Sequence, residues 1–552
     1  MTGIHQGGRL KKTWPTVILC AFAATLAFGV AAIPSAASAA GVVQTAALPV
    51  NPPIDPNLVQ SLPALLGDMD ASRYAAIFAL QDEANWKAAD EQIAALQDRS
   101  LLGTVLAQRY LSAKYKTSFV EARDWLGTYA DLPEARAIWA LAKKRSPGKP
   151  LPSPILASAQ VASPIEADPK AVRPPAADFD MPKLPAEPRG TNIQPPAKFE
   201  AGLASWRNKK FAEAATAFEA VSRSTDVPSW YVAAGAFWAA RAHLILREPQ
   251  KVDPLLETAA LQPRTFYGLL ARRMLGVEPD MRFGAKPLSD TEISQLESLP
   301  GGRRALALVQ VGETDRAEAE LRALTTRSAP GLADAIVALA DLANMPALCL
   351  ALSSGRKGAD DRHDDAAYPV PRWQPRNGFS VDRALLFALM MQESRFDADA
   401  QSGSGASGLM QLMPQTARDV ARRAGIHFKS VDELVDPVLN LSLGQEYVKQ
   451  LIDHTQINGN LILVLATYNS GTAPLTRWQN KPEYQHDPLL FIESLTTIPQ
   501  RLYVERVLTN MWIYRQRLGQ KVPDLDALAA NEWPTYVSAD ASSQRVQHAA
   551  AR

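Results

Sequence analysis

Three short stretches of the chain carry side chains that could do chemistry. In the first, Val381 to Phe396, Leu386, Leu389, Met390 and Glu393 fall at i, i+3, i+4 and i+7. That spacing predicts a helix with three apolar residues and then a carboxylate on one face. A carboxyl on an apolar face resists ionisation, so its pKa rises toward the range of a general acid. The alternative is a Glu that emerges at the helix end to meet Arg395 or solvent. The second stretch, Gln401 to Gly408, is rich in Gly and Ser and is followed by the apolar run Leu409-Met410-Gln411-Leu412-Met413. No strand precedes it and no Lys-Ser/Thr pair follows, which excludes a phosphate-binding P-loop. Its glycines are read as allowing backbone to approach a ligand. Pro414 suits the first turn of the next helix and Gly425 its end. In the third stretch, Asn460 to Gly471, Leu461, Val464, Leu465 and Tyr468 share a helix face. Tyr468 is then either a core tyrosine or a site residue, and Asn469-Ser470-Gly471 would stop the helix.

The elements that must position these residues read as helical throughout. The prolines concentrate in one place: residues 147–196 hold 13 of the 41 in the chain. That segment, bounded at 146–196, is expected to be a semi-rigid extended linker. On either side the text is rich in Ala, Leu, Glu, Gln and Lys, with Trp86, Ala89 and Ile93 at helical spacing before the linker. After it, Trp206, Phe211, Ala214 and Phe218 suit one face, Trp230 to Leu246 forms another helix and Thr265 to Leu275 a third. A further helix opens after Gly312 and runs through Leu324. Short helices with brief turns and no strict period predict an all-α protein built partly as an irregular α-solenoid, or superhelix. The expected organisation is a leader at 1–39, an N-terminal helical region at 40–145, the Pro-rich linker at 146–196, an α-superhelical domain at 197–353, a polar linker at 354–368, a domain carrying the three stretches at 369–520 and a tail at 521–552.

The leader has Arg9, Lys11 and Lys12 ahead of an apolar run from Trp14 to Ile33, and then Ala37-Ser38-Ala39. This is the layout of a cleavable secretory signal peptide, which predicts export to the periplasm and no membrane span after cleavage. Cys20 lies inside the leader, so a mature chain keeps only Cys349 and forms no internal disulfide. Cys349 lies in an apolar run and is expected to be a buried hydrophobe. Of 552 residues, 47% are hydrophobic and 21% charged, which excludes a wholly disordered chain. With 58 basic and 57 acidic residues there is no basic excess to suggest nucleic acid as a partner. His427, His454 and His486 are isolated and no cluster shows metal-ligand spacing, so no metal and no cofactor are expected.

Together, Glu393-Ser394, Gly408 through Pro414 (Gly-Leu-Met-Gln-Leu-Met-Pro) and Thr467-Tyr468-Asn469 resemble the signatures of the soluble lytic murein transglycosylases. Ser402 falls nine residues after Glu393, where that family has an active-site serine. A fourth signature is matched in part by Glu493-Ser494, Arg501, Tyr503-Val504 and Val507-Leu508. It departs at Thr496, Pro499 and Gln500, so the loop around Glu493 is expected to differ in shape. Phe237 to Arg241 and Thr265 to Ala271 resemble the family's helical superhelix. The resemblance implies a lysozyme-like, mainly helical catalytic domain following the superhelix. It implies cleavage of the β-1,4 bond between N-acetylmuramic acid and N-acetylglucosamine, with a 1,6-anhydro product, in cell-wall turnover. Glu393 would be the catalytic acid and then base. Ser402, Met410, Gln411 and Met413 would line the groove, Tyr468 would reach the acetamido group, and Asn469 and Glu493 would support substrate binding. Peptidoglycan strands are the implied partner, with other cell-wall enzymes as candidates. Two other readings follow from the same residues. A lysozyme-type hydrolase would use Asp397 or Asp399 as a second carboxylate, although turn roles suit both better. A peptidoglycan-binding scaffold would need no Glu393.

Overall fold

The computed structural model describes residues 62–154, 194–278, 281–284, 287–325, 331–353 and 361–540. The expected leader, most of the Pro-rich segment, the polar stretch 354–360 and the last twelve residues lie outside them. Among the described residues, five helices precede the Pro-rich segment: α1 (Asp68–Asp82), α2 (Trp86–Ala94), α3 (Leu102–Leu111), α4 (Phe119–Tyr129) and α5 (Ala135–Arg145). Ten follow as an array of hairpins: α6 (Ala197–Arg207), α7 (Phe211–Ser222), α8 (Ser229–Ile245), α9 (Val252–Ala260), α10 (Phe266–Met274), α11 (Asp290–Glu297), α12 (Pro300–Gln310), α13 (Thr314–Leu324), α14 (Leu332–Leu342) and α15 (Pro346–Ser353). No strands occur among the described residues, only isolated bridges.

One detail of the expected periodicity fails. Trp206 and Phe211 do not share a helix, because Asn208 to Lys210 form a turn with Lys209 at φ 57°. The two rings instead meet edge to face across the hairpin, 5.2 Å between centroids.

The packing divides the array. Leu66, Tyr74, Ile77, Phe78 and Val105 from before the Pro-rich segment share one core with Leu296, Leu306, Leu321, Ile336 and Leu348. Leu66 donates to and accepts from the Gln310 side-chain amide at 2.9 and 2.8 Å. Cys349 is buried in this core, and burial raises its thiol pKa, as suits an inert side chain. The residues of α6 to α10 share a different core, the one that also holds residues 367–528. Phe266 stacks on Trp512 at 5.3 Å, and Arg241, lying over the Trp238 ring, donates to Asp487 at 3.0 Å.

The remaining helices are α16 (Asp361–Ala367), α17 (Arg383–Glu393), α18 (Pro414–Ala424), α19 (Pro437–Ile452), α20 (Leu461–Ser470), α21 (Leu475–Gln479), α22 (Pro482–His486), α23 (Pro488–Ile492), α24 (Ile498–Arg517) and α25 (Pro523–Ala529). The second half of the polar stretch is thus a helix rather than a linker. Its Asp364 and Asp365 are buried and pair with Arg264 and Arg517. The expected tail is also structured as far as residue 540. Buried Arg515 of α24 holds Asp382 (2.8 Å) and Asp524 together. Tyr536 accepts from the Asp382 N–H at 2.9 Å, and Asp540 accepts from the Arg383 N–H at 2.9 Å. A buried ion trio of this kind is tolerated only because every member is bonded. Its effect is to tie the start of α17 to both α24 and the C-terminal segment.

Candidate active site

Asp382 caps α17 through the Ala384 N–H at 3.1 Å. Every residue from Ala384 to Met390 is buried. The helix is therefore not amphipathic, as its spacing suggested, but enclosed on all sides until its last turn. Glu393 is the residue at which it emerges, half-buried. The chain then breaks sharply: Arg395 and Phe396 both take left-handed conformations, φ 58° and 66°, and the Phe396 ring is buried. Such a pair is strained for residues with a Cβ, and burial of the ring offsets that cost.

Glu393 accepts a hydrogen bond from the Tyr503 hydroxyl at 2.6 Å. Burial pushes its pKa up to about 7, against the Tyr503 bond, which favours the ionised form. Neither a cation nor a second carboxylate contributes to that shift. Tyr468 also faces Glu393: burial, then the Glu393 charge, raises the Tyr468 pKa well above the usual phenol value. Its hydroxyl donates to the Met410 carbonyl at 2.8 Å, and Tyr447 packs 5.3 Å from it.

The Gly/Ser loop closes on itself. Ser402 accepts from the Ala406 N–H at 2.9 Å, and Ser407 pairs with Leu412 in both directions at 3.1 Å. Gln411, at φ 45°, donates its side-chain amide to the carbonyls of Ala400 and Gly408, both at 2.9 Å. Gly408 sits at φ 77°, and a Cβ there would meet the Asn440 amide and the Leu434 carbonyl at 2.1 Å. Only glycine meets both demands. Asn440, buried on α19, organises the whole loop. It accepts from Met410 N–H at 2.9 Å and donates to Ser407 and Leu434 carbonyls at 3.0 and 2.8 Å.

The expected site residues thus separate. Glu393 and Tyr468 come together. Ser402, Asn469 and Met413 (42% exposed) lie on the accessible surface. Gln411 is half-buried and spends its amide nitrogen on the loop. Met410 does not line a groove: it is fully buried with its sulfur against Gly444, where a Cβ would stand 2.1 Å away. Glu493 is not beside Glu393. It is buried against the helical array, where Tyr267 of α10 donates to it at 2.5 Å and Arg501 stands 3.9 Å away. Asp397 and Asp399 form a turn, with Asp397 accepting from the Asp399 N–H at 3.0 Å. Sequence reasoning missed Tyr503, Tyr447 and Asn440. Tyr503 was visible as part of a motif. Asn440 had its own signal, a polar residue flanked by Leu439 and Leu441 and four residues before Gly444.

Residues 374–490 match the transglycosylase SLT domain. The soluble lytic murein transglycosylase of Escherichia coli K12 is 32% identical over 158 residues, a match covering 28% of this chain and 24% of that relative. The putative soluble lytic murein transglycosylase of Haemophilus influenzae is 27% identical over 146 residues, covering 26% and 24%. This chain therefore matches only about a quarter of the length of those relatives. The fold extends further. The crystal structure of the 70 kDa soluble lytic transglycosylase of Escherichia coli aligns with a TM-score of 0.56 at 18% identity, over 85% of this chain and 100% of that one. Its complex with bulgecin A aligns at 0.55 over the same shares. An all-α fold with a helical superhelix and a lysozyme-like domain is common to both proteins. The match to the transglycosylase SLT domain thus covers residues 374–490, the stretch that holds Glu393 and Tyr468, and the likeness to the 70 kDa soluble lytic transglycosylase extends the shared fold to the helical array.

Proposed function

We propose that the protein is a peptidoglycan lytic transglycosylase, acting on the β-1,4 bond between N-acetylmuramic acid and N-acetylglucosamine. The observation that carries this reading is a solitary half-buried carboxyl, Glu393, with a pKa of about 7 and a tyrosine hydroxyl at 2.6 Å. A group with that pKa is protonated often enough near neutral pH to give up a proton, and basic enough afterwards to take one back. Glycosidases that use water generally need a second carboxylate, and none acts on Glu393.

Glu393 protonates the leaving oxygen as the bond from C1 of the muramic residue breaks. The substrate's own 2-acetamido group stabilises the positive charge at C1. Glu393 then removes the proton from the C6 hydroxyl, whose oxygen bonds to C1. One C–O bond is broken and one formed, the proton on Glu393 is restored, and no water is consumed. Tyr503 holds the carboxylate in place between the two steps. Tyr468, fixed by the Met410 carbonyl, stands beside the reacting sugar, and Ser402, Gln411, Met413 and Asn469 border the approach. The protein acts in the periplasm after export. The leader pattern at 1–39 supports that setting.

The test is mass spectrometry of murein sacculi digested with the purified protein. Fragments lighter by one water at the muramic end support the reading. Ordinary reducing ends would make the enzyme a hydrolase and return attention to Asp397 and Asp399. No release would favour a binding scaffold.

A further inference from the structure

The three side chains that meet at the site stand on three helices. Glu393 ends α17, Tyr468 lies in the last turn of α20, and Tyr503 lies in the second turn of α24. The opposite ends of the same three helices converge on one segment, residues 534–540. At the start of α20, the Leu461 N–H donates to the Pro534 carbonyl at 2.9 Å, and the Tyr536 N–H donates to the Gly459 carbonyl at 2.7 Å. At the start of α17, the Asp382 N–H donates to the Tyr536 hydroxyl at 2.9 Å. Asp540 accepts there from the Arg383 N–H at 2.9 Å and from its guanidinium at 3.0 and 3.1 Å. At the end of α24, Arg515 donates to the Val537 carbonyl at 2.9 Å. Gln520, just past that helix, donates to Asp540 at 2.7 Å.

These bonds are not needed to end the helices. Asp382 already caps α17 through the Ala384 N–H, and Asn460 caps α20 through the Leu463 N–H at 3.2 Å. Residues 534–539 form no helix of their own. What the segment adds is a fixed relation between three helices that are far apart in the chain.

We infer that residues 534–540 are a positioning clasp for the reaction at Glu393. They hold the far ends of α17, α20 and α24 against one another, and so hold Tyr503 and Tyr468 against Glu393 at the near ends. The inference rests on the lytic reading for its chemistry. At about 1.5 Å per residue, Asp382 to Glu393 spans about 16 Å and Tyr503 to Arg515 about 18 Å. Packed helices of that length transmit a displacement rather than absorb it, so a slip at the clasp reappears at the site. A misplacement of about 1 Å, made far from the chemistry, can cost about 10²-fold in rate. The Gly/Ser loop stands outside this arrangement, because it hangs on Asn440 of α19. The clasp therefore acts on the chemical step and not on substrate binding.

The test opens the clasp without touching the site. Tyr536→Phe/Asp540→Ala removes its side-chain bonds and leaves both helix caps and the Arg515 ion pairs in place. On purified sacculi the double variant is expected to lose about ten- to a hundred-fold in kcat, with KM within about two-fold of wild type. The same pair of substitutions made in Tyr503→Phe is expected to cost much less, because the contact that the clasp aligns is already gone. A loss confined to KM, no loss, or an equal loss in both backgrounds overturns the inference. The cycle can also be read without cleavage, by denaturant unfolding of the full chain. The combined substitutions are expected to shift the midpoint by less than the sum of their separate shifts. Additive shifts overturn the inference even where lysis is intact. Non-additive shifts in a protein that releases no anhydro product would strike the proposed function and leave the clasp standing.

Discussion

Glu393 and Glu493 are nearly the same local object in two different places. Each is a carboxyl withdrawn from water, and each accepts a short hydrogen bond from a tyrosine hydroxyl: Tyr503 at 2.6 Å and Tyr267 at 2.5 Å. Burial raises the pKa of both. The surroundings differ. Glu493 is sealed between α10 and the catalytic domain, with Arg501 and Arg207 pulling it back toward ionisation and its backbone carbonyl accepting from Arg207 at 3.3 Å. Glu393 ends a buried helix at an opening, with one hydrogen bond and no cation in its balance. A hydrogen-bonded, buried carboxyl is therefore not a catalytic signature by itself. What singles out Glu393 is access on one side and freedom from a countercharge on the other. The countercharges around Glu493 make it a tie between two parts of the molecule.

That contrast can be broken most decisively by making the same substitution at both positions. Glu393→Gln is expected to lower lytic activity by about 10²–10⁴-fold, the usual contribution of a positioned general acid. Glu493→Gln, which keeps an acceptor for Tyr267, is expected to cost less than about ten-fold. Digestion rates on purified sacculi measure both, and equal losses would end the distinction.

The pH profile sharpens it. In the proposed reaction Glu393 starts protonated, so kcat/KM of the wild type is expected to fall above pH of about 7, by roughly ten-fold per unit. The linkage has the same sign in stability. A carboxyl whose folded pKa lies above its ordinary 4.5 favours the fold at low pH, and that contribution is lost as pH rises toward about 7. Denaturant titrations of wild type and Glu393→Gln should therefore differ in slope against pH within that window.

Smaller effects should separate the two tyrosines. Tyr503→Phe removes a bond that favours the carboxylate. It is expected to slow cleavage by about ten-fold, equivalent to about 1.4 kcal/mol, and to move the basic limb of the profile upward. Tyr267→Phe is expected to leave the limb in place and to lower stability by about 1–3 kcal/mol, read from thermal or denaturant unfolding. A shift of the limb in Tyr267→Phe would show that the array helps set the protonation of the site.

Much of the site was legible because it rests on local pattern. The type and spacing of residues placed Glu393 at the end of an apolar helix, Pro414 at the start of α18 and Gly425 at its left-handed stop. The helical class was equally plain, since small, straight-chain and aromatic residues recur at helical intervals throughout. Tertiary structure decided what sequence spacing could not: which faces meet. On α24, Tyr503 turns toward Glu393, while Arg501 and Glu505, two residues to either side, turn toward the array. Two residues are about 200° around a helix, so a shift of two positions would exchange the tyrosine beside Glu393 for an interdomain charge. The same holds for Met410, which reads as a groove residue yet is buried because Gly444, on a helix thirty-four residues away, leaves room for its sulfur. It also holds for residues 521–540, whose polar text hides that their acids complete the ion pairs at the start of α17. Hydrophobic period is written into neighbouring residues. The partner of a buried charge is chosen by elements far apart in the chain, and only the folded molecule brings them together.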